Sequence, residues 1–302
     1  MPDPAEPFIR IRGLTQQFGE NQVLRGVDLD VFHGETLVIL GGSGCGKSVL
    51  IKHLPGLLQP TGGSITVDGV EITGLCEREL GPIRKQMGVL FQGGALFDSL
   101  TVAGNVAFPL RESGWNDEGK IAARVAEALE IVHLAGEEDK LPPDLSGGMR
   151  KRAALARAIV HQPSCVLFDE PHTGLDPINA DAIDHLIKDL QRNQGVTNIV
   201  ITHELRSVFR IADRIVFLEK GRIHWTGTPA ELQATQDPIL RAFIDGDSGE
   251  GWDEPVPPGT RSGPGDVDQT AEFLEQHGAM DHAAEQSQIR HDGQDDGPIK
   301  DR

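Results

Sequence analysis

Cysteine is scarce in this sequence of 302 residues, and its few copies are scattered. Cys45, Cys76 and Cys165 are odd in number and far apart, which excludes a disulfide framework and a cysteine-based metal cluster. We therefore expect reduced thiols, as in a cytosolic protein.

Long hydrophobic runs are also missing. No apolar stretch approaches the roughly 20 residues that a helix requires to cross a bilayer. The N-terminal segment "MPDPAEPFIR" has neither the basic region nor the apolar core of a signal peptide. The sequence thus predicts neither a membrane span nor a secretory leader.

Positive charge is in short supply, and the formal net charge is −18. Residues 245–302 contain 15 acidic and 4 basic side chains, a net of −11, which leaves −7 for the first 244 residues. Because an acidic chain repels nucleic acid, we expect no nucleic-acid partner. The same end of the chain is rich in glycine and proline, a composition that cannot support a packed core. We expect a main domain at 6–246 and an acidic, partly disordered C-terminal extension at 247–302.

Glycine, in contrast, is concentrated after the apolar run "TLVIL", in the segment "GGSGCGKSVL" at residues 41–50. Glycine loses more conformational entropy on folding than any other residue, so packing alone does not favour this choice. The spacing Gly-x-x-x-x-Gly-Lys-Ser between a strand and a helix instead predicts a loop whose backbone N–H groups cradle phosphates. Lys47 would reach the outer phosphates, and the Ser48 hydroxyl would bind Mg²⁺. The predicted nucleotide-binding residues of this loop are Gly41, Gly42, Ser43, Gly44, Cys45, Gly46, Lys47, Ser48 and Val49.

The remaining pattern predicts an α/β fold of the P-loop NTPase (RecA-like) class. Two N-terminal strands, joined by a turn near Phe18 and Gly19, predict an antiparallel β subdomain. Farther along, short apolar strands alternate with helices, which predicts a mainly parallel sheet covered on both faces. The helix after the phosphate loop should run to about Leu58. Residues 93–161 begin as a loop and continue with two helical patterns, which predicts an inserted α-helical subdomain.

The strand "CVLFDE" ends in two carboxylates about 120 residues after the phosphate loop. Asp169 is placed to hold the Mg²⁺ shell, and Glu170 to orient and deprotonate an attacking water. Two acids at a strand end are common in isolation, but behind a phosphate loop they form the second half of an NTPase site. His203, after the strand "NIVIT", is predicted to contact the γ-phosphate and to steady the water bound by Glu170.

The segment "DLSGGMRKRAALARA" adds a serine and two glycines at a helix start, a second anion site. With it, the chain resembles the ATP-binding subunit of an ABC transporter from about Phe8 to Phe243. The resemblance rests on "GGSGCGKS", the glutamine of "LFQGG", "LSGGM", "VLFDE", "GLDP" and "ITHE", all in order.

The resemblance implies a head-to-tail homodimer that buries two ATP molecules. By it, Gln92 contacts the metal and the attacking water. By the same resemblance, Ser146, Gly147 and Gly148 would bind the ATP held by the second copy. Asp176 would line the seam between the two copies.

The chain departs from the family pattern at several positions. It has no tyrosine, so Phe18 is the candidate to stack on adenine. Met149 stands where glutamine is common, and His172 is interpreted as a tolerated surface variant. The basic cluster Arg150, Lys151 and Arg152 is placed on the polar side of the signature helix. It is interpreted as strengthening the positive field near the ATP phosphates, in preference to a nucleic-acid contact.

The loop after Gln92, "GGALFDSLTVAGNVAFPLRE", is similar to that of the Mla/Mce branch, whose members power lipid traffic between membranes. The resemblance implies docking to integral-membrane permease subunits at the cytoplasmic face of the inner membrane, a lipid-binding Mce-type partner and room for a small cytoplasmic regulator. Leu96 and Phe97, with Leu100 and Val102, form an apolar cluster in this loop, which supports docking unless they pack internally. Residues 247–262 resemble an extension that wraps the neighbouring ATPase.

Two alternative functions remain open from the sequence. The chain could serve a transporter of a small polar solute such as an amino acid. It could also be a non-transport ABC protein acting on ribosomes or DNA. The second is disfavoured because the chain has one cassette, no long coiled-coil insertion and no basic surface.

Overall fold

Ten strands and nine helices are found in residues 6–246, the part of the chain that the computed structural model describes. The predicted tail at 247–302 lies outside these residues. The strands are β1 Pro7–Phe18, β2 Asn21–Phe32, β3 Thr36–Leu40, β4 Gly62–Val67, β5 Val70–Glu71, β6 Met87–Leu90, β7 Cys165–Asp169, β8 Thr197–Ile201, β9 Arg214–Glu219 and β10 Arg222–Gly227. The helices are α1 Lys47–His53, α2 Glu77–Lys85, α3 Val102–Glu112, α4 Glu118–Ile131, α5 Gly147–Ile159, α6 Pro177–Gln194, α7 Leu205–Ile211, α8 Pro229–Ala234 and α9 Pro238–Asp245.

The central sheet has six strands in the order β10-β9-β3-β8-β7-β6. The pairs within β9-β3-β8-β7-β6 are parallel, and β10 joins the edge in the antiparallel direction. Every residue of β3, β7 and β8 is buried, as expected for parallel strands covered on both faces. Their carboxyl ends meet at one edge of the sheet. The phosphate loop follows β3 at this edge, Asp169 ends β7 there, and the segment with His203 follows β8.

A second sheet, antiparallel, has the order β2-β1-β4-β5. The alternation of side chains along β3 divides the core between the two faces of the central sheet. Leu37 and Ile39 belong to the cluster formed with the N-terminal sheet, whereas Val38 and Leu40 belong to the cluster formed with the helical region 93–161. The mixed α/β fold is as the sequence predicts.

Three elements differ from the sequence prediction. Residues 102–112, read as loop, form α3, with Val102, Val106 and Leu110 buried along one face. A glycine and a proline within this segment obscure a helical spacing that tertiary packing stabilises. Helix α1 ends at His53, short of Leu58. The edge strand β10 was not predicted, because its alternating apolar signal is limited to Ile223 and Trp225.

None of the described helices has both the length and the apolar content required to cross a bilayer.

Candidate active site

The phosphate loop connects β3 to α1 and is shaped by left-handed backbone. Gly46, the residue before α1, has φ 106°, and a Cβ there would lie 2.9 Å from Leu24 Cδ2. No side chain caps this helix start, so its first N–H groups have no side-chain acceptor. Because α1 has only two turns, the successive N–H groups of the loop, more than the helix dipole, provide the anion site.

Lys47 lies across the loop that it is predicted to serve. Its Nζ donates to the carbonyl oxygens of Gly41 at 2.9 Å and Gly42 at 2.8 Å. The ammonium group is thereby held at the mouth of the loop. It can exchange these two carbonyl bonds for stronger charge-assisted bonds to phosphate oxygens.

Ser48 and Asp169 meet at the carboxyl edge of the sheet, although 121 residues separate them. Ser48 Oγ donates to Asp169 Oδ1 at 3.2 Å. Burial raises the pKa of Asp169, while the hydrogen bond from Ser48 opposes the shift. A hydroxyl and a carboxylate whose negative charge is poorly solvated are hard oxygen donors that fit Mg²⁺. The structure thus brings together two of the three residues assigned to the metal on the sequence, Ser48 and Asp169.

Glu170 has backbone that a non-glycine residue rarely adopts, with φ 49°. Its N–H donates to the Ile201 carbonyl at 2.9 Å, which secures it to the end of β8. Oε2 lies 2.8 Å from Nδ1 of His203, within ion-pair distance but without hydrogen-bond alignment. The predicted base and the predicted histidine are therefore in contact, and the unusual backbone is supported by the neighbouring strand.

Gln92 follows β6 and has an exposed side chain. Its carbonyl accepts a hydrogen bond from Nζ of Lys151, which lies on α5. Lys151 is buried, so its predicted placement on the polar side of the signature helix is wrong. Burial lowers the pKa of Lys151, against the charges of Asp169 and Glu170. This lysine joins the loop of Gln92 to the helix that starts at Gly147.

Arg150 and Arg152 also donate to carbonyl groups, at Leu145 and His133 respectively. The sequence reasoning missed Lys151 as a site residue. The available signal was its spacing, because Gly148, Lys151, Leu155 and Ile159 share one buried face of α5.

The signature segment begins α5 and lies beside the start of α6. Ser146 caps α5, since its Oγ accepts from the Met149 N–H at 3.2 Å. Asp176 caps α6, accepting from the N–H groups of Ile178 and Asn179 at 3.0 Å, and the Asn179 bond lowers the pKa of Asp176. A Cβ on Gly148 would collide with the Asn179 side chain. The structure therefore places the signature and Asp176 on adjoining helix starts.

The apolar cluster after Gln92 is divided between surface and core. Phe97 is 44% exposed and packs on Phe108 with ring centroids 4.8 Å apart. Leu96 is half-buried against the core, whereas Val102 is fully buried in α3. Arg157 reaches this loop from α5, donating to the carbonyls of Gly94 and Ala95. Val102 is therefore a core residue, as the alternative of internal packing predicts, and only its assignment to a loop was wrong.

Two other residues singled out on the sequence have clear positions. Phe18, the candidate adenine contact, ends β1 and is 47% exposed. His172 is buried and bonded to Asp184 and Thr202, so its interpretation as a surface variant is wrong.

A phosphate loop and strand-end carboxylates on one edge of a parallel sheet define a P-loop nucleoside triphosphatase. The family model described as ABC transporter matches residues 24–173. The probable ribonucleotide transport ATP-binding protein mkl of Mycobacterium leprae is 42% identical over 243 residues, 80% of this chain and 70% of that protein. The chain belongs to the ABC transporter ATP-binding family and is an ATP-hydrolysing subunit.

Other relatives differ in their described substrates. The intermembrane phospholipid transport system ATP-binding protein MlaF of Haemophilus influenzae is 41% identical, over 80% of this chain and 91% of that protein. The methionine import ATP-binding protein MetN of Brucella abortus is 38% identical, over 80% of this chain and 66% of that protein. A solved dimeric ATP-binding cassette with ADP and phosphate bound matches with a TM-score of 0.68 and 30% identity, covering 73% of this chain and 98% of that one.

Proposed function

We propose that this chain drives lipid transfer between membranes, as a peripheral subunit attached to permease subunits at the cytoplasmic face of the inner membrane. The observation that carries the proposal is the relationship to MlaF, which spans 91% of that protein at 41% identity. The docking loop, residues 94–102, and the helix after it also support the proposal, since "GALFDSLTV" and "NVAFPLRE" are the segments that resemble the Mla/Mce branch. A lipid-binding partner of the Mce type and a small cytoplasmic regulator belong to the same proposal.

Two copies of the chain hold two ATP molecules in this proposal. In each site, Lys47 leaves the loop carbonyls for the β- and γ-phosphates, and the loop N–H groups bind the remaining oxygens. Phe18, exposed at the end of β1, stacks on the adenine. Ser48, Asp169 and Gln92 hold Mg²⁺, which neutralises phosphate charge when bound.

The second copy contributes its signature segment. The cap on α5 uses an acceptor lone pair of Ser146 and leaves the hydroxyl hydrogen available for a γ-phosphate oxygen. Gly147 and Gly148 allow close approach of the partner, and Asp176 lies at the seam between the copies. The dimeric solved cassette supports this arrangement.

Glu170 performs the proton transfer of hydrolysis. Its carboxylate accepts a proton from the attacking water, and His203, in contact with Oε2, orients that carboxylate and reaches the γ-phosphate. Gln92 places the water and connects the site to the docking loop. Through Lys151 and Arg157, helix α5 holds the backbone of that loop, so movement of the signature segment and of the docking loop are mechanically joined.

Transport of a small polar solute is the second candidate, favoured by the relationship to MetN. The experiment that separates the two candidates isolates the tagged chain with its partners from native membranes and identifies bound molecules by mass spectrometry. We expect a permease, a lipid-binding protein and phospholipid. A solute-binding protein, together with hydrolysis stimulated by an amino acid, would favour the second candidate and overturn the first.

Docking itself is tested at Phe97. Phe97→Asp places a carboxylate in an apolar contact, and burying it unpaired is costly enough to break docking. We expect a folded ATPase that binds ATP but no longer co-purifies with its permease, whereas Phe97→Leu keeps the contact. Normal transport by Phe97→Asp would show that Phe97 is not at the interface, and loss of ATP binding would show that its packing on Phe108 supports the fold instead.

A further inference from the structure

His172 lies buried between three segments that surround the candidate base. Its Nε2 is 2.8 Å from Asp184 Oδ1 on α6, and its Nδ1 is 3.3 Å from Thr202 Oγ1 just after β8. The side chains of His172 and Asp184 are 5% and 3% exposed. A histidine so enclosed has a fixed position and two fixed partners.

The two ring nitrogens have different kinds of partner. The Asp184 carboxylate can only accept, so Nε2–H donates to it, and Nδ1 is bonded to the Thr202 hydroxyl. Thr202 Oγ1 in turn accepts from the Glu204 N–H at 3.1 Å. Both polar atoms of the imidazole thus have a partner, as a buried polar group requires.

Asp184 is itself held from the other side. Arg210 on α7 forms an ion pair with Asp181 and lies 3.8 Å from Asp184 Oδ2. The histidine is therefore attached to a charged network that spans α6 and α7. Asp184 therefore has both His172 and Arg210 as partners.

The connections close a ring around the site. His172 is two residues after Glu170, and Thr202 directly precedes His203, whose Nδ1 contacts Glu170 Oε2. The bond between His172 and Thr202 therefore joins the chain segment of the base to the chain segment of its partner. It acts beside the bond from the Glu170 N–H to the Ile201 carbonyl.

We propose that His172 is a positioning residue for ATP hydrolysis, which fixes His203 against Glu170 through the hydroxyl of Thr202. The inference rests on the proposed roles of Glu170 and His203. Without the bond, the segment after β8 is free to shift, and a displacement of about 1 Å in a reacting geometry can cost about a hundredfold in rate.

The test uses near-isosteric variants of the full chain and measures kcat, KM for ATP and thermal stability. His172→Asn keeps a polar atom near the Nδ1 position and the bond to Thr202. His172→Gln keeps a donor near the Nε2 position and the bond to Asp184. We expect kcat to fall about tenfold or more in His172→Gln, with KM unchanged, and to stay within about threefold of wild type in His172→Asn.

A second pair keeps His172 in place and tests the same bond if those variants fold poorly. Thr202→Val removes the hydroxyl and should lower kcat as His172→Gln does, while Thr202→Ser should restore it. In the double variant His172→Gln/Thr202→Val, we expect no further loss of kcat, because both changes break one bond. Losses that multiply, or a fall in thermal stability with kcat unchanged, would overturn the inference.

Glu170→Gln in the same assay separates this inference from the proposed function. If Glu170→Gln hydrolyses ATP like wild type, the assignment of the base fails. If Glu170→Gln is inactive while both His172→Gln and Thr202→Val keep wild-type kcat, only the positioning role of His172 fails.

Discussion

Two helix starts rich in glycine lie in this chain, and they use the same residue differently. Before α1, Gly46 takes left-handed backbone and no side chain fills the first-turn N–H groups. At the start of α5, the Ser146 hydroxyl accepts a hydrogen bond from one first-turn N–H group, that of Met149. Gly148 has no room for a side chain, because Asn179 occupies that space. The first start has no side-chain cap, whereas the second already uses one of its N–H groups within its own chain.

The difference agrees with the proposal that the first start binds nucleotide by itself, while the second acts on nucleotide held by another copy. An uncapped start gains most of its hydrogen bonds from phosphate. A capped start has fewer donors to add, which suits a nucleotide that another surface has already bound. The four predictions that follow test this division of labour.

The largest effect is expected for Glu170→Gln, which preserves shape and removes the base. Turnover should fall by about 10²–10⁴-fold while ATP affinity persists. Both helix starts should then remain on the same nucleotide, so that an ATP-bound dimer accumulates in size-exclusion chromatography. Hydrolysis at the wild-type rate would move the base elsewhere, with His203 the next candidate.

Ser146→Arg should block hydrolysis and leave ATP binding to the monomer intact, because the proposed ligand of Ser146 belongs to the other copy. Mixing it with Lys47→Ala subunits sharpens the test. Each mixed dimer then contains one doubly damaged site and one intact composite site, and we expect activity to return in proportion to heterodimer formation. If heterodimers form without activity, either the sites are not shared or both must fire together.

Lys47→Ala should weaken ATP binding by about tenfold to a hundredfold, since charge-assisted hydrogen bonds contribute about 1.5–3 kcal/mol. Calorimetry with the isolated chain measures this. Lys120→Ala, on the exposed face of α4, is the control and should bind ATP normally. Unchanged affinity in Lys47→Ala would contradict the assignment of the first start as the nucleotide site.

The smallest effect concerns Cys45 in the phosphate loop. Burial raises the pKa of its thiol, which keeps the thiolate fraction low near neutral pH. We expect a maleimide to label the exposed Cys76 first and Cys45 more slowly. Labelling of Cys45 should quicken as pH rises toward its pKa, and ATP should slow it further. Mass spectrometry measures labelling at each cysteine. Equal rates at Cys45 and Cys76 would show that the Cys45 thiol is not buried in the phosphate loop.

The sequence predicted the site well where one short segment contains the whole signal. The phosphate loop, the strand-end carboxylates and the signature helix are each continuous, and the structure places them at the helix starts and sheet edge that the patterns indicate. Residue roles at these positions stay predictions until the variants are measured. Helix α3 was missed because Gly104 and Pro109 argue against a helix locally, while packing of Val102, Val106 and Leu110 favours it.

The sequence by itself determined the strand and helix pattern and the chemistry of the phosphate loop, because spacing along the chain sets backbone geometry and side-chain faces. Only the tertiary structure decided that Lys151 binds the Gln92 carbonyl and that His172 joins Asp184 to Thr202. The reason is physical: a buried polar side chain requires a partner, and these partners come from segments 12 to 59 residues away. A local sequence pattern shows that such a residue is polar, and only the fold shows which group it is hydrogen-bonded to.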